Sequence, residues 1–139
     1  MKQIYLLSRE HLDKYWDQIS PLLESGLFYS EGELDISQLR LLIVQGKVFV
    51  VVASQDFKIV GALAFELVWF PNYRAANIIS YGGDSLFADD NDMKQFKELL
   101  QKAGIKKLQG WCKPAQARLF KSQFGFETPY QLVRLDIGT

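Results

Sequence analysis

The chain has 139 residues, 48% of them hydrophobic and 14% aromatic, enough to bury one core and too apolar for disorder. Lysine plus arginine total 16 and aspartate plus glutamate 16, so no overall field draws the chain to nucleic acid or a membrane surface. A single cysteine, Cys112, and a single histidine, His11, exclude an internal disulfide and a Cys/His zinc set, and no metal site is expected.

In chain order, residues 4–7 read as a short strand, and the polar turn that follows argues against a signal peptide. Ser8 is placed to cap a helix whose apolar face is Leu12, Tyr15, Trp16 and Ile19. Pro21 is expected to end or kink that helix, or to open a new turn behind Ser20. Residues 26–32 form a loop. Asp35 and Gln38 stand at capping-box spacing before a helix with Ile36, Leu39, Leu42 and Ile43 on one face, stopped by Gly46.

Residues 48–53 form a β-branched run of the kind buried on both faces of a sheet. A turn at residues 54–56 leads into a long strand over 59–70, giving a hairpin. After a turn at 71–74 the chain returns over 77–81, and Gly82-Gly83 is expected to break that strand. A third helix spans 92–103, with Asp92 and Gln95 again at capping spacing, and Met93, Phe96, Leu100 and Ala103 form its buried stripe. Residues 106–112 are the next strand, and Pro114 opens a fourth helix. Val133, Leu135 and Ile137 alternate with Arg134 and Asp136 as a final strand.

The fourth helix carries the most specific signal. Leu119, Phe120 and Phe124 lie at helical spacing, Gly125 stands where a C-cap needs positive φ, and Phe126 can fold back onto the helix. No repeat or linker interrupts the pattern, so residues 1–139 are read as one α/β (α+β layered) domain. Its sheet is mixed, mostly antiparallel and flanked by helices.

The order of elements and the closing helix-Gly125-Phe126-Glu127 unit resemble the GNAT (GCN5-related N-acetyltransferase) superfamily. The loop beginning Gly82-Gly83-Asp84 is similar to that of small divergent GNAT-like proteins encoded by bacteriophages. The resemblance implies acetyl-CoA as cofactor, an amine as acceptor, and a cleft between two splayed parallel strands, here 77–81 and 107–112. It places Ser80, Gly82, Gly83, Asp84 and Ser85 on the cofactor, the last four in the loop that meets the pyrophosphate at a helix N-terminus.

That loop departs from the family's pattern. It carries no Arg or Lys, and Asp84, Asp89, Asp90 and Asp92 complement the helix dipole themselves. Its glycines read equally as a simple turn. The family's frequent tyrosine falls on Lys121, which is assigned to the cofactor, leaving Tyr81 as the phenol assigned to catalysis. Tyr130 is the other phenol close in sequence.

Acetyl transfer to an amine requires a group to take the amine's proton. Glu66 interrupts an apolar strand and is the candidate base; the alternative is that it simply faces solvent. His11 reads as a surface residue and Cys112 as a small core residue. Trp69, Phe70 and Tyr73 beside Arg74 are either an exposed patch or core rim. The two functional readings are an acyl-CoA-dependent N-acetyltransferase and an inactive GNAT-fold binding or structural protein. A homodimer is expected in a cytoplasmic setting, or virion association for a phage structural protein, with nucleic acid and membrane outside the expected partners.

Overall fold

The computed structural model describes residues 2–28, 30–83 and 90–138. Strand β1 (Lys2–Leu6) leads through a 3-10 turn (Arg9–His11) into helix α1 (Leu12–Leu27), and α2 (Ile36–Val44) follows. Strands β2 (Val48–Gln55), β3 (Lys58–Trp69) and β4 (Arg74–Gly83) form a meander. Helix α3 (Asp90–Lys102), strand β5 (Lys107–Gly110) and helix α4 (Pro114–Phe124) complete the described elements. The sheet order is β1-β2-β3-β4-β5, antiparallel except for the parallel β4–β5 pair.

Period-2 alternation divides the strands between two cores. On one face Val48, Val50, Val52, Ala62 and Ala64 pack against Ile19 and Leu23 of α1 and Leu39 and Ile43 of α2. On the other, Val51, Ala53, Leu63, Phe65 and Ala76 meet Met93, Phe96 and Leu100 of α3. The β-branched run of β2 therefore serves both layers, as its composition predicts.

Several local expectations hold. Asp35 Oδ1 accepts from the Gln38 N–H at 2.8 Å while Gln38 Oε1 accepts from the Asp35 N–H at 2.9 Å. Gly125 is left-handed at φ 74°, its N–H donates to the Lys121 carbonyl, and the Phe126 ring lies 5.2 Å from that of Phe120. Others are corrected. Helix α1 does not end at Pro21 but continues through it, because the bond lost by its missing N–H falls at Asp17, on the exposed side. The β2–β3 turn is centred on Asp56 and Phe57, both at positive φ, one residue later than the spacing suggests.

Strand β4 does not break at Gly82-Gly83 but runs through both, pairing them with Ala62 and Gly61. Asp92 and Gln95 do not cap α3. Asp92 is buried and paired with Lys2 Nζ at 2.7 Å, and Gln95 Oε1 accepts from the Ile4 N–H, so both tie α3 to β1. Helix α3 ends at Lys102, and Ala103 is exposed. The expected strand over Val133 to Ile137 has no pairing; residues 125–138 carry no regular structure.

At one end of the sheet Trp69 is 69% exposed, with the Arg74 guanidinium 4.8 Å from its ring. The Lys107 ammonium lies 4.8 Å over Tyr73, so this group is a surface patch rather than core rim. Among the described residues no helix is long and apolar enough to cross a membrane.

Candidate active site between β4 and β5

Strands β4 and β5 pair only from Ala75↔Lys107 to Ile78↔Gly110. Beyond that point β5 ends while β4 continues to Gly83, so the two parallel strands part. A bulge marks the same place. Ala64 pairs with Ser80 and Phe65 with Ile78, leaving Ile79 as an extra residue on β4. An extra residue bends its strand and raises the local twist, which turns β4 away from β5.

The far end of β4, deprived of β5, is held by α1. Ser80 is buried and its hydroxyl donates to the Leu23 carbonyl at 2.5 Å. A β-carbon at Gly82 would lie 2.0 Å from the Leu22 carbonyl oxygen, and one at Gly26 would lie 2.5 Å from the Tyr81 carbonyl oxygen. Helix and strand thus cross backbone to backbone, an approach only glycine permits. Gly83 takes φ 108°, where a β-carbon would lie 2.3 Å from the Val60 carbonyl oxygen. Both glycines of the pair have packing reasons for being glycine.

Glu66 lies on β3 at a period-2 position shared with Ala62 and Ala64, hence on the α1/α2 face. It is half-buried, and its Oε1 accepts from Asn77 Nδ2 at 3.0 Å. Asn77 is 6% exposed, and its Oδ1 has no hydrogen-bond partner among the described residues. An unmatched buried acceptor is costly, on the order of 1–3 kcal/mol, and such groups collect at sites that use them. Glu66 is thus a partly exposed carboxylate held by Asn77, one residue from the last paired position of β4 and β5.

Tyr81 lies on the opposite, α3/α4 face, its ring 5.6 Å from Phe120. Base candidate and phenol candidate thus stand on opposite faces of the sheet, with the parting of β4 and β5 on one edge of both. Lys121 is exposed on α4. Asp84 and Ser85 lie outside the described residues. The structure does not gather Glu66, Tyr81 and Lys121 into one contact group.

Between α3 and α4 runs a groove of about 330 Å³ lined by Asp90, Met93, Lys94 and Lys97 from one helix and by Gln123 and Phe124 from the other. Two lysines and the Asp90 carboxylate share this lining, so the groove carries both signs of charge, while Asp92 pairs with Lys2. Lys94 and Lys97 are the groups of this groove that can attract an anionic cofactor arm, and Asp90 opposes them. His11 is exposed as expected. Cys112 is exposed, not a core residue, and desolvation pushes its thiol pKa up, away from thiolate chemistry.

This architecture recurs in solved structures, each aligned over nearly all of both chains. A ribosomal-protein-alanine N-acetyltransferase from Brucella melitensis biovar Abortus 2308 superposes with TM-score 0.69 at 14% identity, covering 99% of this chain and 100% of that one. The chain has the GNAT fold. An aminoglycoside acetyltransferase from an uncultured soil metagenomic sample, in complex with sisomicin, gives TM-score 0.65 at 19% identity over 99% and 95%. A predicted acetyltransferase with acetyl-CoA from Clostridium acetobutylicum gives 0.58 at 12% over 99% and 97%. No protein-family model matches the sequence, and comparison with curated proteins gives no match. The GNAT resemblance read from the closing helix is thus one of shape, carried on a divergent sequence.

Sequence reasoning missed three residues of this site. Asn77 is the one amide in an otherwise small and apolar stretch of β4, a signal as visible as that of Glu66. Lys94 and Lys97 recur at i, i+3 on α3, and only the position of α4 shows that this face lines a groove rather than open solvent.

Proposed function

We propose that the protein is an N-acetyltransferase that moves an acetyl group from acetyl-CoA to a primary amine in the opening between β4 and β5. The observation that carries this reading is the Glu66–Asn77 pair at the parting of the two strands, within a GNAT fold. Acetyl-CoA, when bound, supplies an acyl group activated as a thioester.

In this reading Lys94 and Lys97 attract the phosphate-bearing end on the α3/α4 face. In the same reading main-chain groups of Ser80, Gly82 and Gly83 line the path of the pantetheine arm, with Lys121 at its margin. The amine enters from the α1/α2 face. Glu66 takes its proton as the nitrogen attacks, and the Asn77 amide keeps the carboxylate aimed. Tyr81 gives its phenolic proton to the departing thiolate from the other face. Two proton-transfer groups on opposite faces can act on one carbonyl only where the strands separate, and this reading puts the thioester there.

The test is turnover of acetyl-CoA against a panel of primary amines, including aminoglycosides and peptide N-termini, with products read by mass. Wild type should acetylate at least one class, and Glu66→Gln should reduce kcat about a hundredfold with acetyl-CoA affinity unchanged. An active protein that keeps full kcat as Glu66→Gln ends the assignment of the base.

A further inference from the structure

The balanced total charge of the chain hides an uneven distribution. Residues 67–83 and 99–126 contain lysines and arginines but no aspartate or glutamate. The fold brings these two stretches together, because β4 and β5 pair in parallel from Ala75↔Lys107 onward. The end of the sheet where that pairing starts is therefore cationic, whatever the sum over the chain.

The same end carries aromatic rings, arranged in two stacks with cations. Trp69 and Arg74 close the β3–β4 ladder and share the α3 face with Leu67 and Ala76. The Arg74 guanidinium lies 4.8 Å from the indole. A β-carbon at Gly104 would lie 2.2 Å from a guanidinium nitrogen, so this cation is held between the ring and the backbone that ends α3. On the opposite face the Lys107 ammonium lies 4.8 Å over Tyr73, and Phe70 packs beside Tyr73 with ring centres 5.2 Å apart. Lys106 links the two stacks, its N–H donating to the Arg74 carbonyl at 3.0 Å.

This surface is open and its charge is not neutralised. Trp69 is 69% exposed and Phe70 41%, so neither ring is covered by the cation or ring beside it. Arg74, Lys106 and Lys107 form no ion pair among the described residues. The acids nearest in sequence are Glu66, which accepts from Asn77, and Glu98, one helical turn before Lys102 on α3.

Exposed rings with cations fixed beside them suit a ligand that alternates flat π surfaces with negative charge. A single-stranded nucleic acid does so at every nucleotide: the base stacks and the phosphate meets a cation. A duplex offers the phosphates but keeps its bases stacked inside. An acidic peptide offers the charge without the flat surface. A second copy fits worst, because a two-fold contact here would set Arg74 and Lys107 against their own duplicates.

We propose that this end of the sheet binds single-stranded nucleic acid, with bases stacked on Trp69 and Phe70 and phosphates met by Arg74, Lys106 and Lys107. The surface lies at the start of β4, whereas β4 and β5 part only beyond Ile78. The inference therefore does not rest on acetyl transfer.

The experiment is fluorescence anisotropy of a labelled oligouridine of about a dozen nucleotides, titrated with the full chain at low salt. Wild type should bind at micromolar protein. Trp69→Ala should weaken binding about tenfold, and Trp69→Tyr should keep most of it. Lys107→Gln should reduce the slope of log affinity against log salt by about 0.7. Trp69 is exposed, so an unchanged thermal unfolding midpoint in Trp69→Ala separates loss of stacking from misfolding. Absence of binding at low salt overturns the proposal, and so does equal affinity of wild type and Trp69→Ala. Displacement of the oligouridine by polyglutamate at equal charge, or equal affinity for a duplex, would also overturn it, since neither competitor presents bases.

Discussion

The two flanks of β4 differ more than any other pair of neighbours in the sheet. Toward β3 it pairs along its whole length from Arg74 to Gly83, and its far end is pinned by α1 through Ser80, Gly26 and Gly82. Toward β5 it pairs over Ala75 to Ile78 and then leaves at the Ile79 bulge. A strand that loses one neighbour would normally fray, since half its ladder is gone. Here a helix is pressed on the strand's face where that ladder is missing. The bracing belongs to the fold, and the gap is what the fold braces.

The largest effect should come from attacking the brace. Gly82→Val puts side-chain atoms into the Leu22 carbonyl and should cost about 3 kcal/mol or more, read as a lowered urea midpoint. The same geometry means that loss of cofactor binding in a Gly82 or Gly83 variant reports on strand packing first. Next is chemistry without packing. Asn77→Leu releases the Glu66 carboxylate and should lower kcat about tenfold while KM for acetyl-CoA stays fixed. A change confined to KM would show that Asn77 binds rather than positions.

Ser80→Ala removes the 2.5 Å bond to Leu23 and should cost about 1 kcal/mol, visible in thermal unfolding. The smallest effect sharpens the open flank. Lys94→Glu should weaken acetyl-CoA about fivefold, and more at low salt than at high, because the lysine is exposed and screened. A salt-independent change would place the phosphates elsewhere.

Most of the fold was legible because local signals agreed with one another. The capping box at Asp35 and Gln38, the β-branched run of β2, and the Gly125 stop each have one physical reading, and each is observed. The misreadings share a cause. Asp92, Gln95 and Gly82 have local explanations as caps and a turn, yet their partners are Lys2, Ile4 and Leu22, at least 60 positions away in the chain. A sequence window cannot contain both ends of such a contact. Val133, Leu135 and Ile137 are a different case: their alternation predicts a strand, and the residues are exposed without regular structure. For the candidate site, Glu66 was visible as a charge in an apolar strand. Asn77 was equally visible as an amide in an apolar stretch, and the register sets it opposite Glu66.

The most direct test of the braced gap is the amide spectrum of isotope-labelled protein during titration with acetyl-CoA. The account predicts saturable shifts at micromolar cofactor concentrated on residues 79–83 of β4 and 111–113 after β5, with α2 unmoved. Amides of 79–83 that stay fixed at millimolar acetyl-CoA, or shifts confined to α1 and α2, would contradict it.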